Sequence, residues 1–264
     1  MVSVLPGVSS SQSTSAALLG PEALDTDSAC NAPTITTGLG KPSLSQETRM
    51  AELIPFSQAL RERTRGVHQE SEGADFMQDL MSGKGSRGDY VSLLSQHYFI
   101  YAALEAAASE MASDPVATLF ISPKLTRLPA IETDLAFLLG DGWRERIAPL
   151  PSTRRYTARI REVGTTWPGG FIAHHYTRYL GDLSGGQIIR TLLQRQYGFE
   201  TNGVGFYLFA DIAKPKLFKD TYRSQLDAVE WTEEERERVI DEVGLAFRFN
   251  TELFDDLAVA KAAA

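Results

Sequence analysis

The sequence predicts an all-α protein, one folded domain behind a disordered leader, and three observations carry that expectation. From residue 52 onward, long stretches place apolar residues three and four apart, the spacing of one helix face. Alternating runs of the kind that build strands are scarce, and no period of roughly 20 to 50 residues repeats. Residues 1–49 differ in texture: they are rich in Ser, Thr, Ala, Gly and Pro and poor in charge and aromatics. Such a segment buries too little apolar surface to offset its chain entropy. The reading is therefore a disordered extension over 1–49, with Met50 as a candidate translation start, and a folded domain over 50–260.

Element by element, "ELIPFSQALRERTRGVHQESEGADFMQDLM" predicts a helix that begins near Pro55 to Ser57 and runs past His68, then a short second one. "RGDYVSLLSQHYFIYAALEAAASEMAS" predicts a helix of more than five turns, with Asp89 as candidate N-cap. "LTRLPAIETDLAFLLG" ends in a glycine stop, "WRERIAP" is short, and "TRRYTARIREVGTTWP" reads as a further helix. A glycine-interrupted helix follows over "HHYTRYLGDLSGGQIIRTLLQRQYG", then a loop with "TNGVGFYLF" and a helix in "IAKPKLFKDTYRSQLDAV". The last helix begins at "TEEERERVIDEV", where Thr232 is placed to cap and Glu235 to complete a capping box. Its "EEERER" run reads as a solvated face.

Composition excludes several function classes. A formal net charge of −8 and a pI near 5.1 argue against a general nucleic-acid binder, which needs a basic footprint. The one cysteine, Cys30, can form no internal disulfide, and no CxxC or CxxCH occurs, so neither a thiolate zinc site nor covalent haem attachment is expected. No run reaches the roughly 18 apolar residues that would span a bilayer. The expectation is a soluble cytoplasmic protein with no membrane or nucleic-acid partner.

The chemistry concentrates in two places. Gly181, Gly185 and Gly186 together cost a helix on the order of 3 kcal/mol relative to alanine. The segment is thus either a break between two helices or a surface on which something lies flat. Gly181 and Gly185 share a face at i, i+4, which also suits close helix packing, but Gly186 extends the gap beyond that need and Arg178 and Asp182 set charge beside it. The second place is His68, close to the inward stripe of Phe56, Ala59, Leu60, Thr64 and Val67. Arg61 stands two turns earlier, about 10 Å away, and Glu72 one turn later, within reach of the imidazole. A neutral imidazole with a carboxylate behind it and a cation up the helix suits a large, flat, anionic ligand with a metal at its centre. None of the four histidines belongs to an HExxH motif, and Lys219 with Arg223 reads, by itself, as a solvated pair.

Here the residues resemble a known family. "HYTRYLGDLSGGQIIRTLLQRQYG" is similar to the signature segment of haem oxygenases, and "LRERTRGVHQESEGADFM" to their proximal helix. The likeness continues through "HYFIYAALE", "FYLFADIAKPKLFKDTYRSQL" and "VIDEVGLAFRFNTELF", over roughly residues 52–257, and is nearer to the soluble bacterial, biliverdin-producing branch. The resemblance implies a multi-helix bundle with haem b held between a proximal helix and a glycine-kinked distal helix. It implies cleavage of haem at a meso carbon by O2 and electrons to biliverdin, CO and ferrous iron. His68 would be the iron ligand, and Gly181 and Gly185 would belong to the distal helix. Asp182 would anchor a distal water network with Arg178 and Tyr101. Arg61, Tyr176, Lys219 and Arg223 would surround the propionates, and Met77, Phe247 and Asn250 would line the pocket. Position 61 departs from the lysine familiar there, which changes donor geometry while keeping the charge. The distal wall is expected to be glycine backbone with no adjacent imidazole. No GxGxxG follows a strand pattern, so the external reductant is expected to be a ferredoxin-, flavodoxin- or reductase-type donor. A haem-storage or haem-transfer protein would use the same His68 and cations, but would leave the glycine and Asp182 arrangement without a purpose.

Overall fold

In the computed structural model, residues 54–263 are described, so the expectations for residues 1–49 and for Met50 lie outside the described residues. Nine α-helices account for most of them: α1 (Phe56–Glu72), α2 (Asp75–Ser82), α3 (Arg87–Glu110), α4 (Leu128–Leu139), α5 (Pro151–Thr166), α6 (Pro168–Asp182), α7 (Gly185–Tyr197), α8 (Pro215–Ala228) and α9 (Glu233–Ala262). Short 3-10 turns connect them, and no strand occurs among the described residues.

Local chemistry sets many of the boundaries. Proline opens α5, α6 and α8, where its missing N–H would have had no partner in any case. Gly83 and Gly198 close α2 and α7 in the left-handed conformation, at φ of 82° and 70°. Two capping expectations need correction. Ser86, not Asp89, caps α3: Ser86 Oγ accepts from the Asp89 amide at 3.1 Å, and Asp89 accepts from the Ser86 amide at 2.8 Å as the reciprocal partner. At α9, Thr232 accepts from the Glu235 amide at 3.1 Å, but the Glu235 carboxylate turns to Trp167 Nε1 and to Arg238 instead of closing the box.

The fold is organised around α9, which packs on α1, α5 and α6, while α3 packs across α5 and α4. α6 lies innermost. All its residues from Gly169 to Asp182 are buried, so charges on it must find partners inside the protein. His174 shows how: its Nε2 lies 2.8 Å from Glu242 Oε1 on α9, and Arg159 on α5 grips the same carboxylate at 2.9 and 2.6 Å. Burial would raise the Glu242 pKa, but the bonds from Arg159 and His174 outweigh it and lower the value from 4.5 to about 2. Burial also keeps His174 neutral by lowering its pKa.

The folded-state pKa of Glu242 is depressed, so its contribution is complete above pH 4.5 and disappears as pH falls toward about 2. The size is on the order of 3 kcal/mol. Glu242→Gln is therefore expected to unfold at lower urea concentration than the parent at pH 7. The gap between the two should narrow below pH 4.5, and a gap independent of pH would show that the carboxylate charge contributes nothing.

Candidate functional site

The break between α6 and α7 answers what the glycines do. Leu183 and Ser184 interrupt the helix, with Ser184 at φ −106°, ψ −80°. The break is stitched by the Ser184 amide to Gly181 O at 3.1 Å and by Ser184 Oγ to Leu180 O at 2.8 Å. The three glycines then have different surroundings. Gly181 lines a cleft, Gly185 is buried outside the described lining, and Gly186 meets the ring of Tyr207. A Cβ on Gly186 would fall 2.9 Å from Tyr207 Cδ1, so packing does account for this glycine, contrary to the expectation from spacing. Tyr207 is held there by its neighbours: the Gly203 and Phe206 amides donate to Asp134, and Arg127 donates to Phe206 O and Leu208 O. Gly186→Val is expected to cost about 1–3 kcal/mol through overpacking against that clamped ring. Thermal unfolding checks it, and an unchanged Tm would show that the loop yields freely.

The cleft is partly open to solvent and is lined from α1, α2, α3, α6, α7 and α9 and by Tyr207. α1 contributes His68 and Glu72 to one wall. The His68 ring stands edge-on against Phe247 of α9, centroids 5.0 Å apart at 81°, which fixes its plane. His68 Nε2 is 3.5 Å from Glu72 Oε1, longer than a normal hydrogen bond. The carboxylate is thus beside the imidazole. Burial raises the Glu72 pKa from 4.5 to about 7, which weakens its hold on the ring further.

α6 forms another wall with Arg178, Gly181 and Asp182. Tyr101 on α3 donates its hydroxyl hydrogen to Asp182 Oδ2 in a buried bond. Arg178 donates to Asn250 Oδ1 at 3.0 Å and lies 5.2 Å above the Tyr101 ring. Burial raises the Asp182 pKa, against the Arg178 charge and the Tyr101 hydrogen bond, which lower it. Burial also pushes the Tyr101 hydroxyl well up, so it remains a neutral donor. Arg178 stays charged because Tyr101 and Asp182 offset its own desolvation. Met77, Leu93, Ile189 and Phe254 close the cleft with apolar surface.

Seven of the thirteen residues expected to form the site therefore line this cleft: His68, Met77, Arg178, Gly181, Asp182, Phe247 and Asn250. Tyr101 joins through its bond to Asp182. The other five, Gly185 among them, lie outside the described lining. Arg61 is half-buried on α1. Tyr176 is buried on α6 with its ring 6.2 Å from that of Tyr222. Lys219 Nζ reaches Ser184 Oγ at 2.7 Å, at the helix break, and Arg223 pairs with Asp220 at 3.0 Å.

The structure adds residues that the sequence did not single out. Tyr207 enters from a loop, and no local pattern announced it. His97 lines the cleft from α3, an imidazole that the expected glycine wall did not include. Its signal was legible, since it stands four residues before Tyr101 and shares that helix face.

Comparison with known proteins bears on the family of the whole chain. The family model described as Heme oxygenase matches residues 54–256. The chain is 41% identical over 205 residues to heme oxygenase 1 of Pongo abelii, covering 76% of this chain and 71% of that protein. It is 34% identical over 204 residues to heme oxygenase 1 of Synechocystis sp. (strain ATCC 27184 / PCC 6803 / Kazusa), covering 77% and 85%. Among solved structures, that of heme oxygenase-1 from Synechocystis sp. PCC6803 in complex with heme superimposes with a TM-score of 0.75 at 34% identity, over 80% of this chain and 96% of the other. Heme oxygenase from Leptospira interrogans gives 0.73 at 32% identity, over 76% and 98%. No described helix is long and apolar enough to cross a membrane. With the family match spanning the helices that build the cleft, and relatives matched along the same stretch, the chain belongs to the haem oxygenase family.

Proposed function

We propose that the cleft between α1 and α6 is where this haem oxygenase binds haem and cleaves it at a meso carbon, with O2 and electrons, to biliverdin, CO and ferrous iron. The observation that carries the reading is a braced His68 imidazole sharing one cleft with Gly181 and the Tyr101–Asp182 pair. The residues fit haem. Apolar side chains of Met77, Leu93, Ile189, Phe247 and Phe254 line the cleft beside the His68 imidazole, and buried nitrogens of His97 and Arg178 lack hydrogen-bond partners. Haem, as substrate and prosthetic group together, supplies the iron that activates O2.

The chain's own residues do the rest. His68 holds the iron, and Phe247 fixes the plane of the ring. Gly181 offers backbone with no side chain where the substrate lies flat. Asp182, whose pKa is raised by burial, holds a proton closer to neutral pH than an exposed carboxyl does and passes it through ordered water. Arg61, Tyr176, Lys219 and Arg223 bind the propionates; Met77, Phe247 and Asn250 shape the pocket. Gly185, buried just past the break, belongs to the glycine backbone of the distal helix. Electrons come from a ferredoxin-, flavodoxin- or reductase-type protein, and the working compartment is the cytoplasm.

A single-turnover experiment tests the reading. One equivalent of haem is given ascorbate or a reductase in air, with ferrozine and a CO-trapping globin present. Loss of the Soret band with biliverdin, trapped iron and trapped CO is the expected result. A stable haem spectrum under the same electron supply would make the protein a carrier instead.

A further inference from the structure

His97 has a position that packing alone does not explain. It is 6% exposed, lines the cleft beside Arg178 and Asp182, and stands one turn before Tyr101 on the same face of α3. Its ring meets Tyr101 edge-on at 6.3 Å and Phe206 at 5.2 Å, contacts that a leucine would supply as well. Yet Nδ1 is buried without a hydrogen-bond partner, and so is Nε of Arg178 on the facing helix. An unsatisfied buried polar atom costs about 1–3 kcal/mol, and proteins relieve such atoms with ordered water where the site is polar and roomy. Two of them belong to residues that line one cleft, beside a carboxylate and a tyrosine hydroxyl.

We propose that His97 is a positioning residue of the distal wall, whose imidazole holds an ordered water against Arg178 and so orders the hydrogen-bond network that reaches Asp182. Its role in catalysis rests on haem occupying this cleft; the water site itself does not. The imidazole works as a neutral group. Burial first, and the Arg178 charge second, lower its pKa well below 6.5. A neutral ring keeps one donor and one acceptor nitrogen and can therefore fix the orientation of a water. Tyr101 on its own helix and Arg178 on α6 act on it directly, and Asp182, Tyr207, His68 and Glu72 are the other titratable groups that line the same cleft. With burial and Arg178 keeping it uncharged, His97 orients the distal network without acting as a strong acid, which reconciles an imidazole in this cleft with ring cleavage.

The test uses the full chain, its His97→Leu and His97→Gln variants, and two readouts. In the haem-free wild type, long-range 1H–15N NMR is expected to find His97 as a single neutral tautomer from pH 5 to 8, and a crystal structure to place water within hydrogen-bond distance of its ring. In the ferric haem complex, the midpoint of the acid–alkaline transition, followed at the Soret band, should move by about half a pH unit or more in His97→Leu, roughly threefold in the equilibrium. His97→Gln, which keeps a donor and an acceptor, should stay near the parent.

Equal midpoints in all three proteins would overturn the proposal, as would equal displacement in both variants or a ring nitrogen bonded to protein with no water nearby. Should the leucine variant fail to fold, a displaced midpoint in the glutamine variant or a dry, protein-bonded ring in the wild type would still refute it. If the wild type gives no histidine-ligated haem spectrum, the haem site assignment fails, while the haem-free NMR and crystal structure judge the water site independently.

Discussion

His68→Ala protein mixed with one equivalent of haem is expected to lose the histidine-ligated optical spectrum and to lose single-turnover biliverdin formation by a factor on the order of 100 or more. The magnitude follows from the scale of metal sites, where removing even an outer partner of a ligand costs about 10–100-fold. His68 is well placed to show an unmasked effect. Its ring is braced by Phe247, Glu72 stands 3.5 Å from its Nε2, and no other described side chain in the cleft combines an imidazole with a position on α1. The fold should survive, because His68 is only partly buried and the inward stripe of α1 is carried by Phe56, Leu60 and Thr64. Added imidazole, which can enter the space left by the ring, should restore part of the spectrum. A histidine-type spectrum retained without imidazole would move the ligand elsewhere, with His97 the first residue to examine.

Asp182→Ala is expected to separate haem consumption from product formation. The variant should still bind haem, but biliverdin formed per electron pair should fall by roughly 10²-fold, at the lower end of what positioned proton transfer contributes. The reason lies in what remains: a Tyr101 hydroxyl without its acceptor and an Arg178 charge without its nearby carboxylate, both fully inside the protein. Asp182→Asn distinguishes the two jobs of the carboxylate. The amide oxygen still accepts the Tyr101 bond but cannot hold a transferable proton, so Asn should preserve thermal stability while losing turnover. Asn matching the parent in biliverdin yield would reduce Asp182 to a structural anchor. An unchanged yield in the alanine variant would remove it from the mechanism altogether.

The sequence itself determined the helices and much of the site's cast, because both are written in short spacings. Apolar residues three and four apart gave α1, α3, α5 and α9, proline and glycine marked their ends, and i, i+4 relations placed His68 beside Glu72 and Arg178 beside Asp182 on single faces. Even the capping error at α3 was a displacement of three residues within one reciprocal motif, Ser86 and Asp89.

What the tertiary structure alone decided lies between residues far apart in the chain. Tyr101 meets Asp182 across 81 positions, Arg178 meets Asn250 across 72, and Arg159 and His174 converge on Glu242. Tyr207 fills the space that Gly186 leaves, from a loop held by Asp134 and Arg127. His97 came to line the cleft only when α3 crossed α6. Periodicity fixes which face of a helix a residue occupies, but not which helix that face will meet; that depends on how apolar stripes pack and on which buried charges must find partners once water is excluded.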